Sequence, residues 1–156
     1  MSSTKKWEII GGIFQVILMG VFLYRTFAYF NTDIPKPISA KMFSYVGMAI
    51  FGYCLYILYC RGKRLTELLK TGIFKYTRHP MYTGLAFMDI SIWFVADLNM
   101  VFLISAAIFY FGLIAAGYCQ EKETIARFGA EAKEYYTKTP RFFFWYPIQS
   151  LFAKTG

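Results

Sequence analysis

Arg78-His79-Pro80-Met81-Tyr82-Thr83-Gly84 contains the only histidine of the chain and stands directly before an apolar run. Proline presets the first turn of a helix, so Pro80 fixes His79 at a helix entrance rather than leaving it free in a loop. Tyr82 and the bare backbone of Gly84 follow at once, which suits a ligand approaching the chain closely. The plain alternative is a surface or packing histidine. Asp89 lies deep in the same apolar run, where an ionised side chain needs a polar cavity or a partner. It follows Tyr82 by nearly two helical turns, so both side chains project from one face, and Ala86 between them leaves room. Asp89 therefore either pairs with Arg25 or a hydroxyl inside a bundle, or shares one pocket with Tyr82. A third group, Gln120, Glu121 and Glu123, follows the last apolar run. It reads as the solvated start of an amphipathic helix, or as carboxylates that hold ribose hydroxyls or an amino group.

The elements that must position these groups are membrane helices. Of 156 residues, 57% are hydrophobic and 21% aromatic, with 17% charged, more apolar surface than a soluble domain of this length can hide. Four stretches approach the roughly 20 apolar residues a span requires: 7–30, 42–60, 81–96 and 100–118. The third is short and must lie obliquely or be extended by the turn before it. An all-α, polytopic membrane protein with about four spans and a cytoplasmic helical cap over 119–156 is expected, as one domain over 1–156.

The net charge of +8 would suit nucleic acid in a soluble protein, but its placement follows topology. Lys5 and Lys6, then Arg61, Lys63, Arg64, Lys70, Lys75 and Arg78, then Lys122, Arg127, Lys133, Lys138, Arg141 and Lys154 fall on one side of the four-span arrangement. Lys36 and Lys41 fall on the other, with Arg25 near the end of the first span. The positive-inside rule then places both termini in the cytoplasm, and nucleic acid is not an expected partner. The first span is too long for a signal-peptide core and reads as a retained anchor. Cys54, Cys60 and Cys119 lack CxxC spacing, and neither a disulfide nor a metal site is expected.

Among the connections, 31–41 carries Pro35 and Pro37, and residues 96–99 force a tight hairpin. Leu65, Leu68 and Leu69 give a short helical pattern that Thr71-Gly72 stops. Residues 120–138 read as an interfacial helix broken by Gly129, before an aromatic, proline-bounded segment at the membrane surface. Gly112 and Ala116 are a small-xxx-small pair that suits close helix packing. GxGxxG, Walker A, GxSxG and HExxH are absent, so an adenosine-bearing cofactor would need a different kind of site.

Taken together, Arg78-His79-Pro80-Met81-Tyr82-Thr83-Gly84, Glu121, Phe128-Gly129, Tyr135 and Pro140-Arg141 resemble the integral-membrane methyltransferases that include isoprenylcysteine carboxyl methyltransferase and the phospholipid methyltransferases. The likeness covers about residues 65–147. Gln120 replaces the first glutamate of the family's pair, and Ala132 replaces a tyrosine of its tail. The resemblance implies S-adenosylmethionine at the cytoplasmic face, held by His79, Tyr82 and Gly84 with help from Glu121. It implies a lipophilic substrate entering from the surrounding membrane lipids, with Arg78 or Arg141 orienting an anionic group. Methylation of an isoprenylcysteine-like carboxylate is the preferred reaction, because the tail with Pro140-Arg141 looks more like that branch, and a carboxyl group arrives ionised and needs no base. N-methylation of a phospholipid amine is the alternative, with Asp89 as its base. A non-catalytic scaffold or small transporter is a third reading.

Overall fold

The structure, a computed structural model, describes residues 3–31, 33–60, 67–95 and 99–142, with the side chains of 3–4 and 59–60 excepted. Among the described residues it is all-helical: α1 (Ser3–Phe30), α2 (Ile38–Leu55), α3 (Pro80–Trp93), α4 (Met100–Phe128) and α5 (Ala130–Lys138). A π-helical turn, Tyr56–Cys60, prolongs α2, and a 3-10 turn, Gly72–Lys75, precedes α3. The basic residues Arg61, Lys63 and Arg64, Leu65, the hairpin residues 96–98 and the aromatic segment 143–156 with Lys154 lie outside the described residues.

Three stretches are long and apolar enough to cross a membrane, Lys5–Phe30, Ile38–Leu58 and Met100–Phe128. The third span expected over 81–96 is instead a helix of 14 residues. At 1.5 Å per residue it is about 21 Å long, short of the roughly 30 Å hydrocarbon core. Pro80 sets its start, and Thr83 N–H donates to the His79 carbonyl at 3.0 Å to close the first turn. The fourth helix differs in the other direction. Nothing between Tyr118 and Phe128 breaks a helix, so residues 120–128 extend α4 rather than starting a separate interfacial helix. The break does fall at Gly129, whose φ of +60° is costly for any residue with a Cβ. The short helix expected near Leu68 and Leu69 does not form over 67–71. Thr71 is extended and Gly72 has φ +62°, and so short a segment gains little from helix propagation.

The helices pack as two antiparallel pairs. In the first, Leu18 of α1 sits against Gly112 of α4, and Ala116 one turn on is fully buried. Trp7 meets Tyr118 edge-on at 6.0 Å, so the start of α1 lies beside the end of the apolar part of α4. In the second pair, Gly47 of α2 crosses Gly84 of α3, and Phe43 stacks on Phe87 at 5.9 Å. Leu18, Tyr82, Leu85, Phe109 and Leu113 form the core between the pairs. The outward faces carry Ile13, Val16, Phe27, Ile38, Met100 and Phe111, all exposed, as expected of helices solvated by lipid.

Candidate functional site

The entrance of α3 is tied to the chain segment that follows α5. Arg78 N–H donates to the Pro140 carbonyl at 2.9 Å and His79 N–H to the Arg141 carbonyl at 3.3 Å, while Thr77 Oγ1 donates to Arg141 O at 3.0 Å. Arg78 adds side-chain bonds to the carbonyls of Thr139 and Tyr136, and its guanidinium lies 4.8 Å from the centre of the Tyr136 ring. The His79 bond satisfies a backbone donor that a helix start leaves without an intrahelical partner.

Glu121 is the centre of this junction. Arg141 grips it with two bonds, Nε to Oε1 at 2.9 Å and Nη2 to Oε2 at 2.7 Å. Arg78 Nη1 reaches Oε1 at 3.1 Å, and His79 Nε2 lies 3.3 Å from the same oxygen. Both carboxylate oxygens of the buried Glu121 are thus engaged by positively charged or hydrogen-bonding partners. Burial pushes His79 below its ordinary value, against the pull of Glu121 and with the push of Arg141 and Arg78. The imidazole is then neutral near pH 7, with the proton on Nε2 facing the carboxylate. Its ring is stacked on Tyr82 at 5.5 Å and backed by Gly117, where a Cβ would come within 3.4 Å of Nε2.

Beside this junction lies a cavity of about 800 Å³. Arg78, His79 and Tyr82 form one wall. Gln120, Glu123, Thr124 and Arg127 come from the last turns of α4, and Tyr135 and Tyr136 from α5. Glu8, Gly12 and Gln15 of α1 complete the lining, and Glu67, Leu68 and Leu69 stand at the segment before the 3-10 turn. α5 is docked by Tyr135, whose hydroxyl donates to the Phe74 carbonyl at 2.5 Å, and burial raises its pKa. One turn apart on α4, Arg127 pairs with Glu123 at 2.9 Å. Thr124 Oγ1 donates to the Gln120 carbonyl at 2.7 Å, so this hydroxyl is bound to its own helix rather than set against a base. The lining offers carboxylates, amides, a guanidinium and aromatic faces: groups that bind and orient a polar ligand.

Of the residues singled out in the sequence, Arg78, His79, Tyr82, Gln120, Glu123, Phe128 and Tyr135 line this cavity. Glu121 and Arg141 stand behind it as the junction. Gly84 serves the helix crossing: a Cβ there would lie 2.9 Å from the Gly47 carbonyl oxygen and 3.0 Å from Phe51 N. Asp89 does share a face with Tyr82, and both look toward α1, but they do not share a pocket. Seven residues separate them by about 10 Å along the helix, and at the deeper level Arg25 fills the space. Arg25 Nε and Nη2 hold the two carboxylate oxygens at 2.5 and 3.0 Å, and Trp93 Nε1 adds a bond at 3.1 Å. Sequence reasoning missed Glu8, Gly12 and Gln15. With Gly11 they recur at i, i+3, i+4 and i+7, a small and polar stripe in an otherwise apolar helix, and that spacing was the available signal.

Compared with family models, curated proteins and solved structures, the chain matches none.

Proposed function

We propose that the chain is an integral-membrane methyltransferase that takes S-adenosylmethionine in this cavity and methylates a lipophilic acid of the isoprenylcysteine type. The observation that carries the reading is the union of its motifs. The Arg78–Tyr82 element and the tail around Tyr135, Pro140 and Arg141 are far apart in sequence, yet they are hydrogen-bonded together at one cavity large enough for a nucleoside-sized ligand. The donor set suits that ligand. Glu8 and Glu123 are acceptors for ribose hydroxyls or an ammonium group, and Tyr135 and Tyr136 offer faces to a purine. Tyr82 and His79 form the inner wall. S-adenosylmethionine, when bound, supplies an electrophilic methyl group on a positively charged sulfur. Glu121, which the resemblance makes a cofactor ligand, acts instead by fixing the wall, since Arg141, Arg78 and His79 occupy its oxygens. Arg78 and Arg141 are likewise engaged with it, so their pull on a substrate anion is partly neutralised.

A carboxylate substrate is favoured over an amine by one observation. An ammonium must lose a proton before it attacks, and Asp89, the base the sequence suggested for it, is buried against Arg25 and Trp93 away from the cavity, so that reaction would have to call on Glu8, Glu67 or Glu123 instead. The excess of Lys and Arg in the segments around the cavity end supports a cytoplasmic placement of that end. The substrate then arrives from the bilayer alongside α1 and α2.

The test is titration of the detergent-solubilised protein with S-adenosylmethionine, followed by methyl-labelled transfer to a prenylated thiol acid or to phospholipid amines. Saturable binding and label in a base-labile methyl ester are expected. Absence of binding by the folded protein refutes the methyltransferase reading, and label in the lipid amine replaces the carboxyl reading with N-methylation.

A further inference from the structure

Helix α1 packs chiefly on α4, and its outer surface is what an anchor needs. Its inner stripe is not explained by anchoring. Gln15, half-buried, crosses the gap to the other helix pair and donates from Nε2 to the Tyr82 hydroxyl at 3.2 Å. Tyr82 is 2% exposed, stacked on His79, and forms part of the cavity wall. One turn earlier, Gly12 faces the cavity with nothing within 4 Å of where a Cβ would stand, whereas a Cβ on Gly11 would come within 3.2 Å of Cys119 Cβ. Gly11 therefore serves helix contact, and Gly12 leaves volume for a ligand.

We infer that Gln15 is a positioning residue for the cavity ligand, acting through Tyr82, and that α1 at Gly12 is a wall of the binding site rather than a membrane anchor alone. The physical case is that a tyrosine hydroxyl in an apolar surround takes its orientation from its hydrogen-bond partners. Gln15 is the partner supplied by the facing helix pair, so the angle of the Tyr82 ring against His79 depends on where α1 stands. Removing the amide leaves a hydroxyl without that donor in the wall that touches the ligand. This inference rests on the proposed use of S-adenosylmethionine for its affinity readout, and not for its spectroscopic one.

The experiment is a double-mutant cycle on S-adenosylmethionine affinity in detergent, with Gln15→Leu, Tyr82→Phe and the pair. Gln15→Leu is expected to weaken binding roughly three- to tenfold, the scale of one hydrogen bond, and to cost nothing further on the Tyr82→Phe background. A full additive loss, or none in the single variant, overturns the inference. Gly12→Phe, whose ring would enter the cavity without a clash at Cβ, should abolish binding, and unchanged affinity there overturns the wall assignment. In parallel, 3-fluorotyrosine is incorporated at position 82 and its fluorine resonance compared with and without Gln15→Leu. If the parent protein binds no S-adenosylmethionine, the methyltransferase reading falls, and this resonance decides the inference alone. A displaced signal upholds positioning of Tyr82 by Gln15, and an unmoved one overturns it.

Discussion

Glu121 shows what a single residue can conceal. In the sequence it is a carboxylate after an apolar helix, and the resemblance makes it a cofactor ligand. In the folded chain Arg141, Arg78 and His79 close on it, so its charge fixes the α3 entrance to the tail. Their spacings in sequence do not reveal this, because the contacts span 20 to 43 positions. Glu121→Gln keeps the shape and removes the charge, leaving the half-buried Arg78 and Arg141 without a counterion. It should cost about 3 kcal/mol of stability, the scale for breaking a largely buried ion pair, measured by chemical denaturation in detergent. The same experiment across pH reads His79, which faces Glu121 of α4, Arg141 of the tail, and Arg78 and Tyr82 beside it. Its folded pKa is depressed, so the unfolded chain takes the proton first as pH falls. Stability is complete above about 6.5 and declines below it, by at most about 1.4 kcal/mol per pH unit. His79→Gln keeps a donor toward Glu121 and should flatten the region between 5 and 6.5. A wild-type curve already flat there would contradict a buried neutral histidine.

Among the elements, the long ones were legible and the close contacts were not. Three apolar runs of span length can hardly be anything but membrane helices, and Pro80 and Gly129 mark ends that the structure keeps. The overrun of α4 past Tyr118 was hidden because a change from apolar to polar residues signals a change of solvent, not the end of a helix. Gly84 was hidden for another reason: a glycine that admits a ligand and one that admits a neighbouring helix look alike in sequence. A Cβ at Gly47 would lie 2.6 Å from the Gly84 carbonyl oxygen and 2.8 Å from Met88 N, and one at Gly84 would be nearly as close to Gly47 and Phe51. These neighbours are backbone and cannot rotate away. Gly84→Ala and Gly47→Ala should therefore push α2 from α3 and destabilise the protein by about 1–3 kcal/mol. Gly20→Ala and Gly52→Ala, with open space at both positions, should not. Thermal melts of the four variants check this. A stable Gly84→Ala protein that had lost S-adenosylmethionine affinity would return that glycine to the binding site.

At the scale of the whole molecule, two helix pairs are joined by polar contacts placed along α3. Glu121 holds its entrance, Gln15 and Tyr82 meet one turn in, and Arg25 and Asp89 meet near its far end. The last contact is the most enclosed. Arg25 and Asp89 are 1% and 0% exposed, and Arg25 also donates to Ser105 Oγ at 2.9 Å and the Phe102 carbonyl at 3.0 Å while lying over the Phe102 ring. One guanidinium thus ties α1 to α3 and α4. From sequence alone Asp89 had two readings, a partner for Arg25 or a hydroxyl inside a bundle or a group sharing one pocket with Tyr82, and the enclosure favours the first. Asp89→Asn leaves a buried guanidinium without a countercharge and should cost about 3–5 kcal/mol. Replacing both partners, Arg25→Met with Asp89→Leu, removes the charges together and should recover most of the loss, because paired burial of ions is offset by their desolvation. Comparing the single and double variants by denaturation separates a structural pair from a catalytic aspartate. If Asp89 were a base, the double variant would fold and still transfer no methyl group, and Asp89→Asn would be stable but inactive. If the pair only joins the helices, the double variant should bind S-adenosylmethionine in the distant cavity with near wild-type affinity.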